Sequence, residues 1–272
     1  MNFITSSSGQ RIHVERFGQH GSPIVLIHGF CSSTYVFRLL APRLAQNHRV
    51  YALDLNGFGY TERPHDRAAY DLDGQANLVR ETLDRLNLGQ VDLVGHSFGA
   101  VVALRVAEMQ PRRVGRLVLM SPATSTAPMP RLMRFPPARY AMYPFVRLYL
   151  SSPRAYQSLL KSAYHQPGMP SLADSEVYRN QLLVQGFHDA YNGFGHAMNS
   201  KAGDVLPAGD AVRQPILVVA GRYDQLVPLS TIRSTTTHLR QAKLVVFDDC
   251  GHSLTEEAPD KAARVINRFL VR

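Results

Sequence analysis

Short β-branched runs alternate with helix-like segments along most of this chain. That alternation restricts it to a largely parallel sheet wrapped by helices. The runs are Ile24–Ile27, Val50–Leu53, Val91–Val94, Leu117–Met120, Ile216–Val219 and Leu244–Phe247. Each is bounded by turn formers, as a strand covered on both faces should be. Between them, Asp73–Leu86 sets Ala76, Val79, Leu83 and Leu86 at helical spacing. Ala100–Met109 is apolar enough for a buried helix, and Asp260–Leu270 carries Ala263, Ile266 and Leu270 on one stripe. Phe3–Phe17, with Ser8-Gly9 between two polar–apolar stretches, suits an antiparallel hairpin on the sheet edge.

The alternation stops near Pro122 and resumes near Pro215. The interval is dense in proline (Pro128, Pro130, Pro136, Pro137, Pro144, Pro153, Pro167, Pro170) and in aromatic residues (Phe135, Tyr140, Tyr143, Phe145, Tyr149, Tyr156, Tyr164). A structureless loop of that length does not belong in a compact domain, so short helices broken by proline are expected. The reading is one α/β core made of residues 1–121 and 215–272, with a helical cap (lid) over 122–214. A chain of 272 residues that is 45% hydrophobic and 19% charged suits one such domain with a sizeable core.

The formal charge of +9 is unevenly placed. No acidic residue lies between Glu108 and Asp174, while Arg112, Arg113, Arg116, Arg131, Arg134, Arg139, Arg147, Arg154 and Lys161 do. Such a block suits a solvated basic face, an anionic substrate or a weak membrane-surface contact. No recognition motif organises it for nucleic acid. The first residues, MNFITSSSGQRIHVERFG, lack the basic start and apolar run of a signal peptide. The apolar runs fall far short of the roughly 20 residues that span a bilayer, so a cytoplasmic protein is expected. Cys31 and Cys250 form neither a disulfide framework nor a metal cluster and are expected to be reduced thiols.

Gly95-His96-Ser97-Phe98-Gly99 fits G-x-S-x-G, between a predicted strand and a predicted helix. A sharp strand-to-helix turn strains the nucleophile's dihedrals and brings its neighbours close, which requires glycine at both flanks. Ser97 then projects from the sheet near a helix N-terminus, where negative charge is favoured. A serine hydroxyl needs a base. Of the eleven histidines, His252 follows the last strand and precedes the last helix, and the carboxyl ends of parallel strands converge on one crevice. His28 also follows a strand, but Gly29 after it points to a backbone role. Asp224, again past a strand end, is the carboxylate expected to orient the base. The order is therefore Ser, Asp, His. Two oxyanion-hole donors are expected, the backbone N–H of Phe98 and that of Phe30 in the His28-Gly29-Phe30-Cys31 loop.

With these residues in place, the chain resembles the α/β-hydrolase superfamily. H-G-F-x-x-S reads His28 to Ser33, D-x-x-G-x-G reads Asp54 to Gly59, and G-H-S-x-G is the elbow. D-x-x-x-P reads Asp224 to Pro228, and G-H-x-x-x-x-E-x-P reads Gly251-His252 to Glu257 and Pro259. The resemblance implies an α/β-hydrolase fold, with a mostly parallel eight-stranded sheet flanked by helices and a cap that sets substrate choice. Asn56 stands where relatives often have proline, and Tyr60 where serine is common. Relatives acting on epoxides or haloalkanes use aspartate as nucleophile, so Ser97 argues against both reactions.

The expected activity is hydrolysis of a carboxylic ester or related acyl bond of a small, partly apolar molecule, through an acyl-enzyme and without metal or cofactor. Tyr140, Phe145, Arg139 and Arg147 are expected to line the substrate, and Met129, Met133, Met142 and Met169 favour an apolar group. The alternatives are a C–C bond hydrolase, lactonase or peptidase acting on an anionic small molecule with the same triad, or a non-hydrolytic ligand-binding member of the fold. Oligomeric state is left open.

Overall fold

The computed structural model describes residues 2–124, 136–200 and 211–271. Eight strands form one sheet: β1 (Phe3–Thr5), β2 (Arg11–Phe17), β3 (Pro23–Ile27), β4 (Arg49–Leu53), β5 (Val91–His96), β6 (Val114–Met120), β7 (Ile216–Gly221) and β8 (Ala242–Phe247). Their spatial order is β1-β2-β4-β3-β5-β6-β7-β8. β1 and β2 pair antiparallel, β2 lies antiparallel to β4, and all later pairings are parallel. This is the α/β-hydrolase fold, with the expected hairpin at its edge.

The strands β5 and β7 are buried along their whole length, which explains why they read as near-continuous apolar runs, interrupted in β5 by Asp92, rather than alternating ones. The core helices are α1 (Ala41–Leu44), α2 (Leu72–Arg85) and α3 (Phe98–Met109). Asp71 caps α2 by accepting from Gly74 N–H at 2.8 Å. α3 is buried on nearly every side, as its apolar sequence requires.

Between β6 and β7 the chain leaves the sheet for α4 (Pro136–Ser151), α5 (Pro153–Lys161), α6 (Leu172–Leu182) and α7 (Phe187–Ser200). Pro153 opens α5, and Ser152 caps it by accepting from Ala155 N–H. Pro144, expected to break a helix, instead sits inside α4. Its exposed position lets water take up the Tyr140 carbonyl that the missing N–H leaves free. The chain ends with α8 (Leu229–His238), α9 (Leu254–Glu257) and α10 (Pro259–Leu270), and α10 buries Ala263, Ile266 and Leu270 on one stripe.

Candidate active site

Ser97 follows β5, Asp224 follows β7 and His252 follows β8. All three therefore leave the carboxyl edge of one parallel sheet. At the elbow, Ser97 has φ 54° and ψ −119°, a conformation that L-residues seldom adopt. The flanking glycines are dictated by contact. A Cβ on Gly95 would lie 2.3 Å from the Gly99 carbonyl oxygen, and one on Gly99 would lie 2.1 Å from that of Ile27.

His252 Nδ1 and Asp224 Oδ2 are 2.8 Å apart, and both residues are buried. The other oxygen, Asp224 Oδ1, accepts from Leu226 N–H at 2.9 Å and Val227 N–H at 2.8 Å. Burial pushes the Asp224 carboxyl up. The hydrogen bond and charge of His252, with the Val227 N–H, outweigh burial and hold it below the usual carboxylate range. An ionised Asp224 keeps the proton on Nδ1, which leaves the Nε2 lone pair for Ser97.

Among the described residues Ser97 Oγ has no hydrogen-bond partner. The elbow meets the base through its neighbour His96. The His96 and His252 rings are 4.9 Å apart, and His96 Nε2 donates to the His252 carbonyl at 2.9 Å. Burial, then the neighbouring His252, push His96 down to about 3, so it serves as a neutral donor. Serine–histidine contacts are commonly long before substrate arrives and tighten around it.

The His28-Gly29-Phe30-Cys31 loop, expected to hold the oxyanion, is oriented by His28. Leu55 N–H donates to His28 Nε2 at 3.0 Å, so the ring proton sits on Nδ1 and is donated to the Gly29 carbonyl at 2.7 Å. In a trans peptide the C=O and N–H point opposite ways, so Phe30 N–H is directed away from His28. Gly29 packs directly against Ser97, where an added Cβ would come 3.0 Å from its Cβ. Phe98 opens α3, so its N–H has no acceptor within the helix. Both expected oxyanion donors are thus main-chain groups beside the elbow.

The two departures from the family pattern also have structural accounts. Asn56 accepts from Gln10 Nε2 at 2.7 Å, and its side chain donates to the Ala69 carbonyl at 2.9 Å. Its N–H, which proline would lack, donates to Gln75 Oε1 at 3.0 Å. Tyr60 contributes its backbone N–H to Asp54 Oδ2 at 2.9 Å, a role open to most residue types.

A cavity of about 670 Å³ opens beside the oxyanion loop. Phe30 and Cys31 form one wall, and Phe58, Phe145, Tyr156, Phe187 and Phe194 contribute to the rest. Phe30, Phe58 and Phe194 make ring contacts with centroids 4.6–5.3 Å apart. Among the described residues no charged side chain lines the space. Phe145 and Met142 stand at the cavity. Tyr140 and Arg147 do not: both are exposed on α4 and outside the lining. Charge repeats along a helix do not reveal which face turns inward, and α4 turns Val146 and Leu150 toward the cavity. The basic block is also less uniform than its sequence. Arg113 pairs with Asp84, and Arg116 donates to the Phe269 and Val271 carbonyls. Met129, Met133, Arg131, Arg134, Phe135, Pro128 and Pro130 lie outside the described residues, as does the side chain of Arg139. Cys31 and Cys250 are free thiols, each pushed up to about 12, chiefly by burial.

Residues 22–259 match the family described as alpha/beta hydrolase fold. The chain belongs to the α/β-hydrolase family. This α/β hydrolase is similar to the 2-hydroxymuconate semialdehyde hydrolase of Pseudomonas sp. (strain CF600), with 32% identity over 257 residues covering 92% of this chain and 87% of that one. It is 30% identical over 260 residues to the 2-hydroxy-6-oxo-2,4-heptadienoate hydrolase of Pseudomonas putida (strain ATCC 700007 / DSM 6899 / JCM 31910 / BCRC 17059 / LMG 24140 / F1), covering 92% and 89% of the two chains. Among solved structures, the enol-lactonase from Burkholderia xenovorans LB400 superposes with a TM-score of 0.82 over 100% of both chains, at 18% identity. At that identity the likeness speaks to the fold.

Among the described residues of the α/β hydrolase, no group of three or more His, Cys, Asp or Glu is placed to hold a metal ion, and no helix is long and apolar enough to cross a membrane. Sequence reasoning missed Phe187, Tyr191 and Phe194 as cavity residues. Their i, i+4, i+7 spacing on α7 is the signal that marks them as one face.

Buried groups give the α/β hydrolase an acid-sensitive fold. Burial holds His28, His48 and His96 below the usual histidine value of 6.5. Asp54 and Asp224 sit below the usual carboxylate value of 3.8, because their hydrogen bonds outweigh burial. Each of these groups binds fewer protons folded than unfolded and so loses stability as the pH falls, against the opposite contribution of Glu15 and Glu256, which burial raises. The histidine contribution is complete above 6.5 and is lost below it, toward about 3 for His96. The carboxylate contribution is lost below 3.8. The Tm measured by scanning calorimetry should therefore drop steadily between about pH 7 and pH 4; a level Tm over that range would contradict these assignments.

Proposed function

We propose that this α/β hydrolase is a serine hydrolase that adds Ser97 to a carbonyl carbon, with His252 as base and Asp224 as its orienting acid. The His252–Asp224 pair at 2.8 Å, behind a nucleophile elbow at the same sheet edge, carries this reading. The Ser97 proton passes to His252 Nε2, and the oxyanion rests on the N–H groups of Phe30 and Phe98. The bond to the leaving atom breaks as that atom takes the proton from His252. Water then adds its hydroxyl to the acyl carbon, and its proton returns to Ser97 through His252. The helices between β6 and β7 serve as the cap over the substrate.

For the substrate, the first reading is a ring-cleavage product whose C–C bond next to a carbonyl is hydrolysed. Its support is the likeness, across nearly the whole chain, to hydrolases named for 2-hydroxymuconate semialdehyde and for 2-hydroxy-6-oxo-2,4-heptadienoate. A specific observation favours a second reading. Among the described residues the cavity has no charged lining residue to meet a carboxylate, which suits a neutral ester with an apolar acyl group.

Turnover of hydroxy-oxo-dienoates bearing methyl or phenyl at the carbonyl, followed by loss of dienone absorbance, separates the two when set against p-nitrophenyl acetate through decanoate. The C–C reading expects kcat/KM for the best dienoate to exceed that for the best ester by at least about 100-fold, or about 2.7 kcal/mol of transition-state binding. The opposite ratio establishes the ester reading. No turnover of either class above the Ser97→Ala background would remove both.

A further inference from the structure

The turn between α5 and α6 is bound to the loop that carries the base, through contacts the hydrolytic cycle itself does not use. The backbone N–H groups of His252 and Ser253 both donate to the Ala163 carbonyl, at 2.9 and 3.0 Å. On the adjoining side, the buried Glu257 carboxylate gathers three backbone donors. Gly251 N–H reaches Oε1 at 2.9 Å, while His165 N–H and Gln166 N–H reach Oε2 at 2.7 and 2.9 Å. Gln166 Nε2 also donates to the Glu257 carbonyl at 2.9 Å. The His165 ring stacks on Tyr223, the residue before Asp224, at 3.9 Å and 13°. Gly251 is hemmed in so closely that an added Cβ would come 2.8 Å from His165 N.

The base is consequently held by its own main chain at both ends. Its N–H is tied to Ala163, and its carbonyl is tied to His96 at the elbow. We infer that residues 163–166 of the inserted helices, together with Glu257, form a clamp that keeps His252 in register with Ser97. These are positioning residues rather than catalytic ones, because none of them touches the reacting atoms. The inference rests on the serine-hydrolase reading above. It adds that the insertion supplies part of the alignment of the base as well as walls for the substrate. Alignment matters at this scale, since a misplacement of about 1 Å can cost about 10²-fold in rate.

Glu257 suits this task through its two acceptor oxygens. N–H groups approach both of them, so a glutamine, with one acceptor and one NH₂, must point donors at donors on one side. Glu257→Gln should therefore lower kcat about 30-fold and leave KM within about twofold. The rate of Ser97 labelling by a fluorophosphonate probe should fall by the same factor. Tyr35→Phe is the comparison. The Tyr35 hydroxyl donates to Asp174 at 3.0 Å, which joins the core to α6 without touching the base loop. That variant should lose thermal stability to a similar extent, yet keep labelling within about threefold of wild type.

Labelling of Glu257→Gln at the wild-type rate overturns the clamp. So do losses in both variants that merely track their Tm, since that pattern marks general structural support. Should Glu257→Gln fail to fold, Gln166→Ala carries the same comparison, with an expected loss of about threefold to tenfold in labelling rate and unchanged labelling as the overturning result. A wild-type chain that the probe does not label overturns the serine-hydrolase reading and the clamp together, a result distinct from equal labelling of all the variants.

Discussion

Ser97→Ala should lower kcat by about 10⁵-fold on whichever substrate is turned over, with KM little changed. The replacement keeps the Cβ, so the strained backbone at φ 54° is neither relieved nor worsened. Its Tm should stay within about 3 °C of wild type, a shift that corresponds to no more than about 2 kcal/mol in a chain of this size. The missing atom is the one proposed to form the acyl bond. What remains is the oxyanion donors and the cavity, which still bind and polarise a carbonyl but cannot split the reaction into two steps. Burst kinetics on purified protein provide the check. A variant that keeps activity within tenfold of wild type would show that Ser97 is not the nucleophile.

Asp224→Asn is expected to lose about 10⁴-fold in kcat, again without loss of fold. The reason lies in the surroundings of the carboxylate. Oδ1 accepts from two backbone N–H groups, those of Leu226 and Val227, so an asparagine must place its carbonyl oxygen there. Its NH₂ group is then forced toward His252 Nδ1 and donates to it. The imidazole is left as the Nε2–H tautomer, with a proton where the lone pair for Ser97 should be. A loss of less than tenfold at neutral pH would mean that Asp224 does not set the tautomer. Glu256 and Glu257 are the other buried carboxylates just beyond His252. Glu256 is committed to Arg38 and Tyr164, and Glu257 to three backbone N–H groups, so neither can take over the task.

The apolar cavity and the basic block bear on substrate choice in opposite directions. Nine positive charges without a counter-charge suggested an anion site at the sequence level. The structure disperses them: Arg113 and Arg116 are occupied at the core, and Arg147 is exposed on α4 away from the cavity. Phe30, Phe58 and Phe194 stand beside the carbonyl site instead. The substrate panel described above decides between a dienoate whose carboxylate is met elsewhere and a neutral ester, because only the first class carries the charge.

What the sequence determined by itself was local. Apolar runs of about four residues announced β3 to β8, and the elbow announced its own strained turn. The positions of Asp224 and His252 just past strand ends followed from those runs. These are short-range properties, set by backbone sterics and by the period of burial. The tertiary structure decided everything that depends on which faces meet. It selected α7 rather than Tyr140 and Arg147 of α4 to wall the cavity with Phe187 and Phe194, and it assigned Asn56 to joining Gln10 with Ala69. It also brought Ala163 and Glu257, 94 residues apart in sequence, to the two sides of the base loop. Hydrogen bonds between main-chain groups leave no trace in residue type, and the inward face of a helix is chosen by what it packs against, so neither was legible until the chain was folded.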